Sequence, residues 1–207
     1  MIYTKDDFRE LIEISDEAFE RLEIYHALLL KWQKAINIVS NNTIENAWHR
    51  HFLDSAQIVN FIGDDVKSYA DLGCGGGFPG LVIAIMRPDI DTHLVESDER
   101  KCQFMRTVSR ETSTPVTIYT QRIENISDAF IPDFVTARAL SSLSNLLEYC
   151  MPWAENNKDL ELCFMKGSRA DEEISEAQKS YSFDCKTAKS ITDGSAKILS
   201  ISNLVRL

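Results

Sequence analysis

The chain has 207 residues, of which 44% are hydrophobic, and it carries a formal net charge of −10 at pH 7. This length favours one compact core with an added element over two independent domains. The acidic balance argues against bulk, non-specific binding of nucleic acid, so a nucleic-acid site would have to be a local cationic patch.

The first part of the chain has a helical period. Between residues 4 and 62, apolar residues recur at intervals of three and four, which predicts amphipathic helices. Thr4 with Asp7, and Ser15 ahead of DEAFERL, are side-chain caps followed by acidic residues, an order that the helix dipole favours. The stretch NIVSNNT breaks the period and predicts a loop. We therefore predict an N-terminal helical extension over residues 1–66 that packs on the rest of the chain.

After residue 66 the pattern changes to short apolar runs that alternate with helical stretches. The predicted strands are SYADL, THLVES, VTIYT, DFVTARAL and ELCFMKG, and the predicted helices cover residues 79–87, 98–111 and about 142–150. This alternation predicts a parallel sheet with helices on both faces. SYSFDCKTAKSI and AKILSISNLVRL predict two further strands, antiparallel at the sheet edge, with a turn at TDGS between them. We assign residues 67–207 to one α/β unit.

The stretch DLGCGGGFPG, residues 71–80, follows the first predicted strand. Its glycines permit a sharp turn and the close approach of a ligand to the backbone. In an open parallel sheet, nucleotides bind in the crevice at the carboxyl ends of the strands. Asp71 before the turn and Glu96 at the end of the second strand are expected to project into this crevice. Glu96 follows Gly73 by 23 residues, a spacing typical of an acid that binds ribose hydroxyls.

The sequence of this loop is consistent with two kinds of ligand. Counted from Gly75, the residues satisfy the dinucleotide pattern G-x-G-x-x-G. Counted from Asp71, they read D-x-G-x-G-x-G, which resembles the first motif of S-adenosylmethionine-dependent methyltransferases; Asp71 would then hold the amino acid part of the cofactor or order the loop. A tight strand-to-helix turn without any ligand is a third interpretation.

The sequence argues against a membrane protein and against a disulfide-stabilised protein. No stretch approaches the roughly 18 consecutive apolar residues of a membrane span, and the start MIYTKDDFREL lacks the layout of a signal peptide. The five cysteines are odd in number, widely spaced and without a C-x-x-C pair. We therefore expect a cytoplasmic, monomeric protein without membrane contact, with reduced thiols and no metal site.

Seven segments follow one another as they do in a known family. KWQKAINIVS, RHFLDS, DLGCGGGFPGLVIAI, ERKCQFMR, QRIE, ARALSSL and MKG have the order and spacing of the RsmG family, also called GidB, which the chain resembles from about residue 20 to its C-terminus. The resemblance implies a class I S-adenosylmethionine-dependent methyltransferase with a Rossmann-like sheet. It also implies the reaction: methylation of guanine N7 in the 530 loop of 16S rRNA, on the small ribosomal subunit or its precursor.

The resemblance also implies which residues bind the cofactor. Gly73 and Phe78 would contact it, Ile123 and Glu124 would lie by the adenine, and Glu96 would hold the ribose. The full predicted cofactor site is Asp71, Gly73, Gly75, Gly77, Phe78, Glu96, Ile123, Glu124 and Arg138. Cys74 departs from the family, in which threonine is common at that position.

Guanine N7 carries a free lone pair, so its methylation needs no general base. Catalysis would then come mainly from holding N7 in line with the methyl group. We expect Arg138 to place the guanine or its phosphate through bidentate hydrogen bonds, and Phe78 to turn a ring face toward the sulfonium. Contacts with RNA are expected from a basic rim that includes Arg50, His51, Lys101 and Lys166, although packing within the protein is an alternative role for His51.

Three other functions stay open at the level of the sequence. A nicotinamide-dependent oxidoreductase would use the same glycine loop, but no second domain with a catalytic pair is apparent. A non-catalytic ribosome-assembly factor would keep the fold without turnover. A methyltransferase that acts on a small molecule would keep the cofactor site and need no basic rim.

Overall fold

A mixed sheet organises residues 3–126 and 129–207, the part of the chain that the computed structural model describes. Its strands are β1 (Ser68–Leu72), β2 (Asp91–Glu96), β3 (Thr117–Thr120), β4 (Phe134–Arg138), β5 (Glu161–Lys166), β6 (Tyr181–Lys189) and β7 (Lys197–Arg206). Their order is β3-β2-β1-β4-β5-β7-β6. The first five strands pair in parallel, whereas β7 runs antiparallel to both β5 and β6. The predicted α/β class and the antiparallel edge are confirmed.

Helices cover the first part of the chain, as its period predicts. They are α1 (Lys5–Leu11), α2 (Asp16–Gln33) and α3 (Asp54–Ala56), with a π-helix at Trp48–Leu53 and 3₁₀ turns at Ile44–Asn46 and Gln57–Phe61. Both predicted caps form: the Thr4 hydroxyl accepts from the Asp7 amide, and the Ser15 hydroxyl accepts from the Ala18 amide. These caps satisfy amide groups that the first helical turn leaves without partners.

The remaining helices are α4 (Gly80–Met86), α5 (Glu99–Glu111), α6 (Leu143–Asn156) and α7 (Ala170–Ala177). α6 continues past Pro152, beyond its predicted end, because Met151, Trp153 and Ala154 are buried against the sheet. α7 was not predicted. Its sequence ADEEISEA has Ile174 as its only large apolar residue, which gives little periodic signal.

Hydrophobic clusters cover both faces of the sheet. Leu94 and Val95 are consecutive on β2 and therefore point to opposite faces. Leu94 joins the cluster formed by the N-terminal helices with α4 and α5, and Val95 joins the cluster formed with α6 and α7. The N-terminal helices thus share a core with the α/β unit; the division of the chain at residue 66 stays a prediction. Among the described residues, no helix is both long enough and apolar enough to cross a bilayer.

Tyr25 on α2 joins the N-terminal helices to the glycine loop. It is fully buried, and its hydroxyl donates to the Gly76 carbonyl oxygen at 2.5 Å. Its ring stacks on Phe78, with centroids 5.0 Å apart, and meets the edge of Phe52 at 5.1 Å. Burial raises the pKa of this phenol well above its usual value, so it remains a donor at physiological pH. The helical extension therefore supports the backbone of the loop directly.

Replacing Tyr25 with phenylalanine tests this link. Tyr25→Phe keeps the ring but leaves the Gly76 carbonyl without its donor, so we expect the free energy of unfolding to fall by about 1 to 2 kcal/mol. Urea unfolding measures the change. Tyr119→Phe is the matched control, because its hydroxyl lies on a half-buried strand, 3.4 Å from His93 Nδ1. Equal losses in the two variants would contradict a special role for Tyr25.

Candidate functional site

A cavity of about 290 Å³ lies at the carboxyl ends of β1 and β2. We call it the glycine-loop cavity; its lining includes Gly73, Gly75, Glu96, Lys101, Ile123, Glu124, Ala139, Leu140 and Tyr149. The strand order reverses between β1 and β4 at this edge, which is where open α/β sheets bind ligands. The structure therefore brings five of the predicted cofactor residues together at the expected place.

The glycine loop leaves its backbone open to the cavity at Gly75. No described atom lies within 4 Å of the position that a Cβ would take there, and the backbone has φ +57°, in the left-handed region. Gly73 also has positive φ, but its Cβ would come within 2.5 Å of Leu140 Cδ1. Gly75 thus forms an open cradle, and Gly73 makes room for Leu140 over the loop.

Glu96 fixes one wall of the glycine-loop cavity. One carboxylate oxygen accepts from the Gly75 amide at 3.0 Å, and the other accepts from the Asp98 amide at 2.8 Å. A carboxylate offers about four acceptor positions, so two remain for hydroxyl donors from a ligand. The arrangement fits the predicted role in holding a ribose.

Asp71 does not project into this cavity, contrary to the expectation from sequence. Its side chain is fully buried beneath the loop, where it accepts from the Gly80 amide and from the Thr136 hydroxyl, each at 2.8 Å. Burial raises the pKa of this carboxyl to about 7, and the two hydrogen bonds oppose that rise. Of the two roles considered for Asp71, the structure supports the ordering of the loop.

Gly77 and Phe78 also lie away from the glycine-loop cavity. A Cβ at Gly77 would come within 2.5 Å of Leu81 Cδ1, so this glycine allows close packing inside the protein. Phe78 is buried beside Tyr25, and the Arg138 guanidinium carbon lies 5.4 Å from its ring centroid. The expected ring face toward a sulfonium is thus occupied: Phe78 supports the guanidinium instead.

A second cavity of about 170 Å³ adjoins the first at Ala139, which lines both. We call it the arginine cleft; its lining includes Arg50, Asp54, Arg138, Ala139, Lys166, Thr192, Asp193 and Lys197. Ala139 has φ +53°, a left-handed conformation that costs about 1 kcal/mol or more in a residue with a Cβ. Arg138 therefore lines the arginine cleft rather than the glycine-loop cavity.

The side chain of Arg138 is held by the N-terminal helices. Nη1 donates to Asp54 Oδ2 at 3.1 Å and to the Arg50 carbonyl at 3.3 Å, and Nη2 donates to His51 Nδ1 at 3.3 Å. The other His51 nitrogen contacts the Thr43 hydroxyl at 2.8 Å. Burial, with the nearby Arg138 and Arg50 charges, lowers the pKa of His51 to about 3.

The predicted RNA-contacting residues therefore differ in accessibility. His51 is a neutral, enclosed packing residue, and Lys166 is 7% exposed, with Nζ 2.8 Å from Glu173 Oε2. For Lys166 the structure thus corrects the expectation of a free cation, and for His51 it supports the alternative role, packing within the protein. Arg50 is exposed at the mouth of the arginine cleft, 3.7 Å from Asp193, and Lys101 lines the glycine-loop cavity. Contacts of any of them with RNA stay predictions.

Asp54, Leu140 and Tyr149 line these cavities but were not singled out from the sequence. Asp54 is the fifth residue of RHFLDS, a segment in which only the basic residues were predicted to be functional. Leu140 lies two positions after Arg138 in ARALSSL, and this proximity could have identified it as a candidate site residue. Tyr149 comes from the middle of α6, where its spacing is that of any amphipathic helix.

Comparisons with known proteins agree with the geometry. The model of the GidB family, described as rRNA small subunit methyltransferase G, matches residues 18–202. The chain belongs to the GidB family.

Relatives of this GidB-family chain resemble it along nearly its whole length. Ribosomal RNA small subunit methyltransferase G of Parvibaculum lavamentivorans is 42% identical over 98% of this chain and 91% of its own length. The protein of the same name from Paramagnetospirillum magneticum is 43% identical over 93% of this chain and 92% of its own. These names favour the methyltransferase interpretation of the glycine loop over the dinucleotide interpretation.

Solved structures similar to this GidB-family chain share its fold. The ribosomal protein L11 methylase from Lactobacillus delbrueckii subsp. bulgaricus superposes with a TM-score of 0.56 at 13% identity, covering 80% of each chain. Precorrin-6y C5,15-methyltransferase from Geobacter metallireducens superposes with a TM-score of 0.52 at 13% identity, covering 81% of this chain and 91% of the other. The class I methyltransferase fold is confirmed.

Titration of Asp71 should make the stability of this GidB-family chain depend on pH. Burial raises the pKa of Asp71 from 3.8 to about 7. The contribution of this shift to the free energy of unfolding is therefore fully present below pH 3.8 and is lost as the pH rises through 7. In Asp71→Asn the group does not titrate, so between pH 4.5 and 8 the wild type should lose on the order of 3 kcal/mol relative to the variant. Urea unfolding across this range measures the difference.

Asp89→Asn provides a control of opposite sign. Arg87 holds the pKa of Asp89 below its usual value, so the contribution of Asp89 is lost as the pH falls. Parallel stability curves for the wild type and Asp71→Asn would show that Asp71 is ionised without penalty in the folded protein.

A methyl group at Gly75 should obstruct the glycine-loop cavity. Gly75→Ala places its Cβ in open space, so we expect roughly tenfold weaker binding of S-adenosylmethionine and a stability loss of only about 1 kcal/mol from the positive φ. Calorimetric titration with the cofactor measures the affinity. Gly194→Ala, in an open turn, is the control. Unchanged affinity in Gly75→Ala would place the cofactor elsewhere.

Proposed function

We propose that this chain transfers the methyl group of S-adenosylmethionine to N7 of a guanine in the 530 loop of 16S rRNA. The observation that carries the proposal is the adjacency of the glycine-loop cavity and the arginine cleft, which meet at Ala139. One cavity has the groups that suit a nucleoside, and the other has a cation for the acceptor. Membership in a family named for methylation of small-subunit rRNA supports the choice of substrate.

The glycine-loop cavity fits the cofactor. Gly75 leaves an open cradle at the backbone, Glu96 keeps acceptor positions for ribose hydroxyls, and Ile123 with Glu124 forms a short 3₁₀ turn at the far wall. When bound, S-adenosylmethionine supplies an electrophilic methyl group. The role of the chain is to orient that group toward the arginine cleft.

Arg138 can bind the acceptor while it remains anchored. A guanidinium has five N–H donors, and contacts with described residues engage three of them. The remaining donors can bind the guanine O6 or a phosphate oxygen, with the Phe78 ring supporting the guanidinium from below. Positioning of this kind can raise the effective molarity of the acceptor to on the order of 10⁵ M or more.

No side chain has to remove a proton. Guanine N7 presents a lone pair in the neutral base, and displacement at the methyl carbon leaves the product cationic. His51, with its pKa lowered to about 3, is too weak a base for proton abstraction at neutral pH. The chemistry thus agrees with a site whose charged groups position the base.

Arg50 is an accessible cation of the arginine cleft and is suited to an RNA phosphate. Its pair with Asp193 is long, at 3.7 Å, and both side chains are about 40% exposed or more, so the pair costs little to break. On a chain with net charge −10, binding of this kind should weaken as salt rises.

Methyl transfer to small ribosomal subunits tests the proposal. Subunits from a bacterium lacking this modification are incubated with radiolabelled S-adenosylmethionine and cleaved chemically at 7-methylguanine. We expect one labelled guanine, in the 530 loop, and at least a tenfold lower rate for Arg138→Lys, because lysine cannot make bidentate contacts. Arg87→Lys, at the opposite edge of the sheet, is the control.

Each other outcome has a clear meaning. Label on another nucleotide would contradict the assigned acceptor. Cofactor binding without transfer to subunits, free RNA or precursor particles would contradict the rRNA substrate. Full activity of Arg138→Lys would contradict the role given to the guanidinium.

A further inference from the structure

Asp54 occupies a junction between three parts of the chain. It follows the π-helix Trp48–Leu53, and its side chain is 17% exposed at the wall of the arginine cleft. The π-helix directs the Arg50 carbonyl and the His51 ring to the same guanidinium that Asp54 contacts. Such π-helical turns are rare and often mark functional positions.

One oxygen of Asp54 holds Arg138. The distance from Oδ2 to Arg138 Nη1 is 3.1 Å, and the arginine side chain is only 18% exposed. Water and salt screen such an enclosed pair less than an exposed pair, so the charge-assisted hydrogen bond limits the orientation of the guanidinium.

The other oxygen of Asp54 holds the turn between β6 and β7. Oδ1 accepts from the Thr192 hydroxyl and from Gln57 Nε2, the latter at 3.1 Å. Gln57 also donates to the Ser190 hydroxyl at 3.2 Å and accepts from the Ile191 amide at 3.0 Å. The turn contributes Ser190, Thr192 and Asp193 to the lining of the arginine cleft.

We propose that Asp54 is a positioning residue for methyl transfer, which sets the orientation of Arg138 through one oxygen and the position of the turn between β6 and β7 through the other. The inference rests on the proposed function, in which Arg138 places the methyl acceptor. A carboxylate suits this position, because one oxygen faces the guanidinium and the other faces Gln57 Nε2, and both of these groups only donate. An asparagine would turn its NH₂ group toward one of these two donors and lose that contact.

The test is a double-mutant cycle between Asp54 and Arg138. Asp54→Asn should lower the rate of label transfer to 16S rRNA in a single turnover by roughly tenfold, with the dissociation constant of S-adenosylmethionine changed less than twofold. In an Arg138→Lys background the same change should cost less than about threefold, because the group that it positions is already gone. Asp54→Glu should recover part of the rate.

Asp89→Asn is the matched control, since it breaks an Asp–Arg pair at the opposite edge of the sheet and should leave the rate within twofold of the wild type. Thermal unfolding of each variant separates loss of the fold from loss of positioning. Should Asp54→Asn unfold at the assay temperature, the cycle is run with Asp54→Glu. Multiplicative losses in the cycle, or an Asp54→Asn rate equal to that of the wild type, would overturn the proposal.

The proposed function can fail separately. The double-mutant cycle measures total label on 16S rRNA, so its result can still be interpreted if the methyl acceptor is a different atom. If the wild type transfers no label at all, the ¹⁵N–¹H signals of the Arg138 guanidinium supply the readout. They should be sharp and slow to exchange in the wild type and in Asp89→Asn, and broadened or lost in Asp54→Asn. Unchanged signals in Asp54→Asn would overturn the positioning role whatever the substrate is.

Discussion

The buried side chain of Asp71 closes the glycine loop. Its two oxygens bind the Gly80 amide at the start of α4 and the Thr136 hydroxyl on β4, directly opposite in the sheet register. The two ends of the loop are thereby fixed to each other and to the neighbouring strand. Because each contact lies in the core, water competes little for these donors and acceptors. The open position at Gly75 depends on this closure, since a loop free to move would not keep the Gly75 amide on Glu96 and the wall of the cavity in one arrangement.

The N-terminal helices are part of the site rather than a cover over it. Tyr25 supports the loop from beneath, Phe52 packs on Phe78, and the segment that ends in Asp54 supplies the contacts of Arg138. The cavity that suits a cofactor is built almost wholly from the sheet and its loops. The cleft that suits an acceptor needs the helices as well. In the proposed function, the added helices would therefore adapt a common methyltransferase sheet to one acceptor, because they shape the second cavity.

Topology made much of the fold and part of the site predictable from sequence. Alternation of strands and helices predicts the parallel sheet, and such a sheet brings Gly75, Glu96 and Ile123 to one edge whatever the details of packing. The directions of side chains were harder to predict from the sequence. Asp71 and Phe78 adjoin the loop in sequence, yet both turn into the core, where Asp71 accepts two hydrogen bonds and Phe78 stacks on Tyr25.

The partners of Arg138 could not be found by local reasoning. Asp54 lies 84 positions away along the chain, and Thr192 lies 138 positions from Asp54, so their meeting depends on how the helical extension and the last turn pack. α7 was missed for a related reason: its acidic sequence becomes helical when it docks through Ala170 and Ala177. In each case tertiary packing decided what sequence periodicity could not.

Ala139 couples the two cavities through the backbone. Because this single residue lines both, a displacement of the chain at Ala139 would change the shape of both cavities. An inserted residue next to Ala139 would shift the two cavities relative to each other. The turn around Gly194, by contrast, has open space in which to lengthen. A change in the length of ARALSSL would therefore alter both cavities at once, whereas the turn can lengthen at Gly194, outside the contacts that Thr192 and Ser190 make.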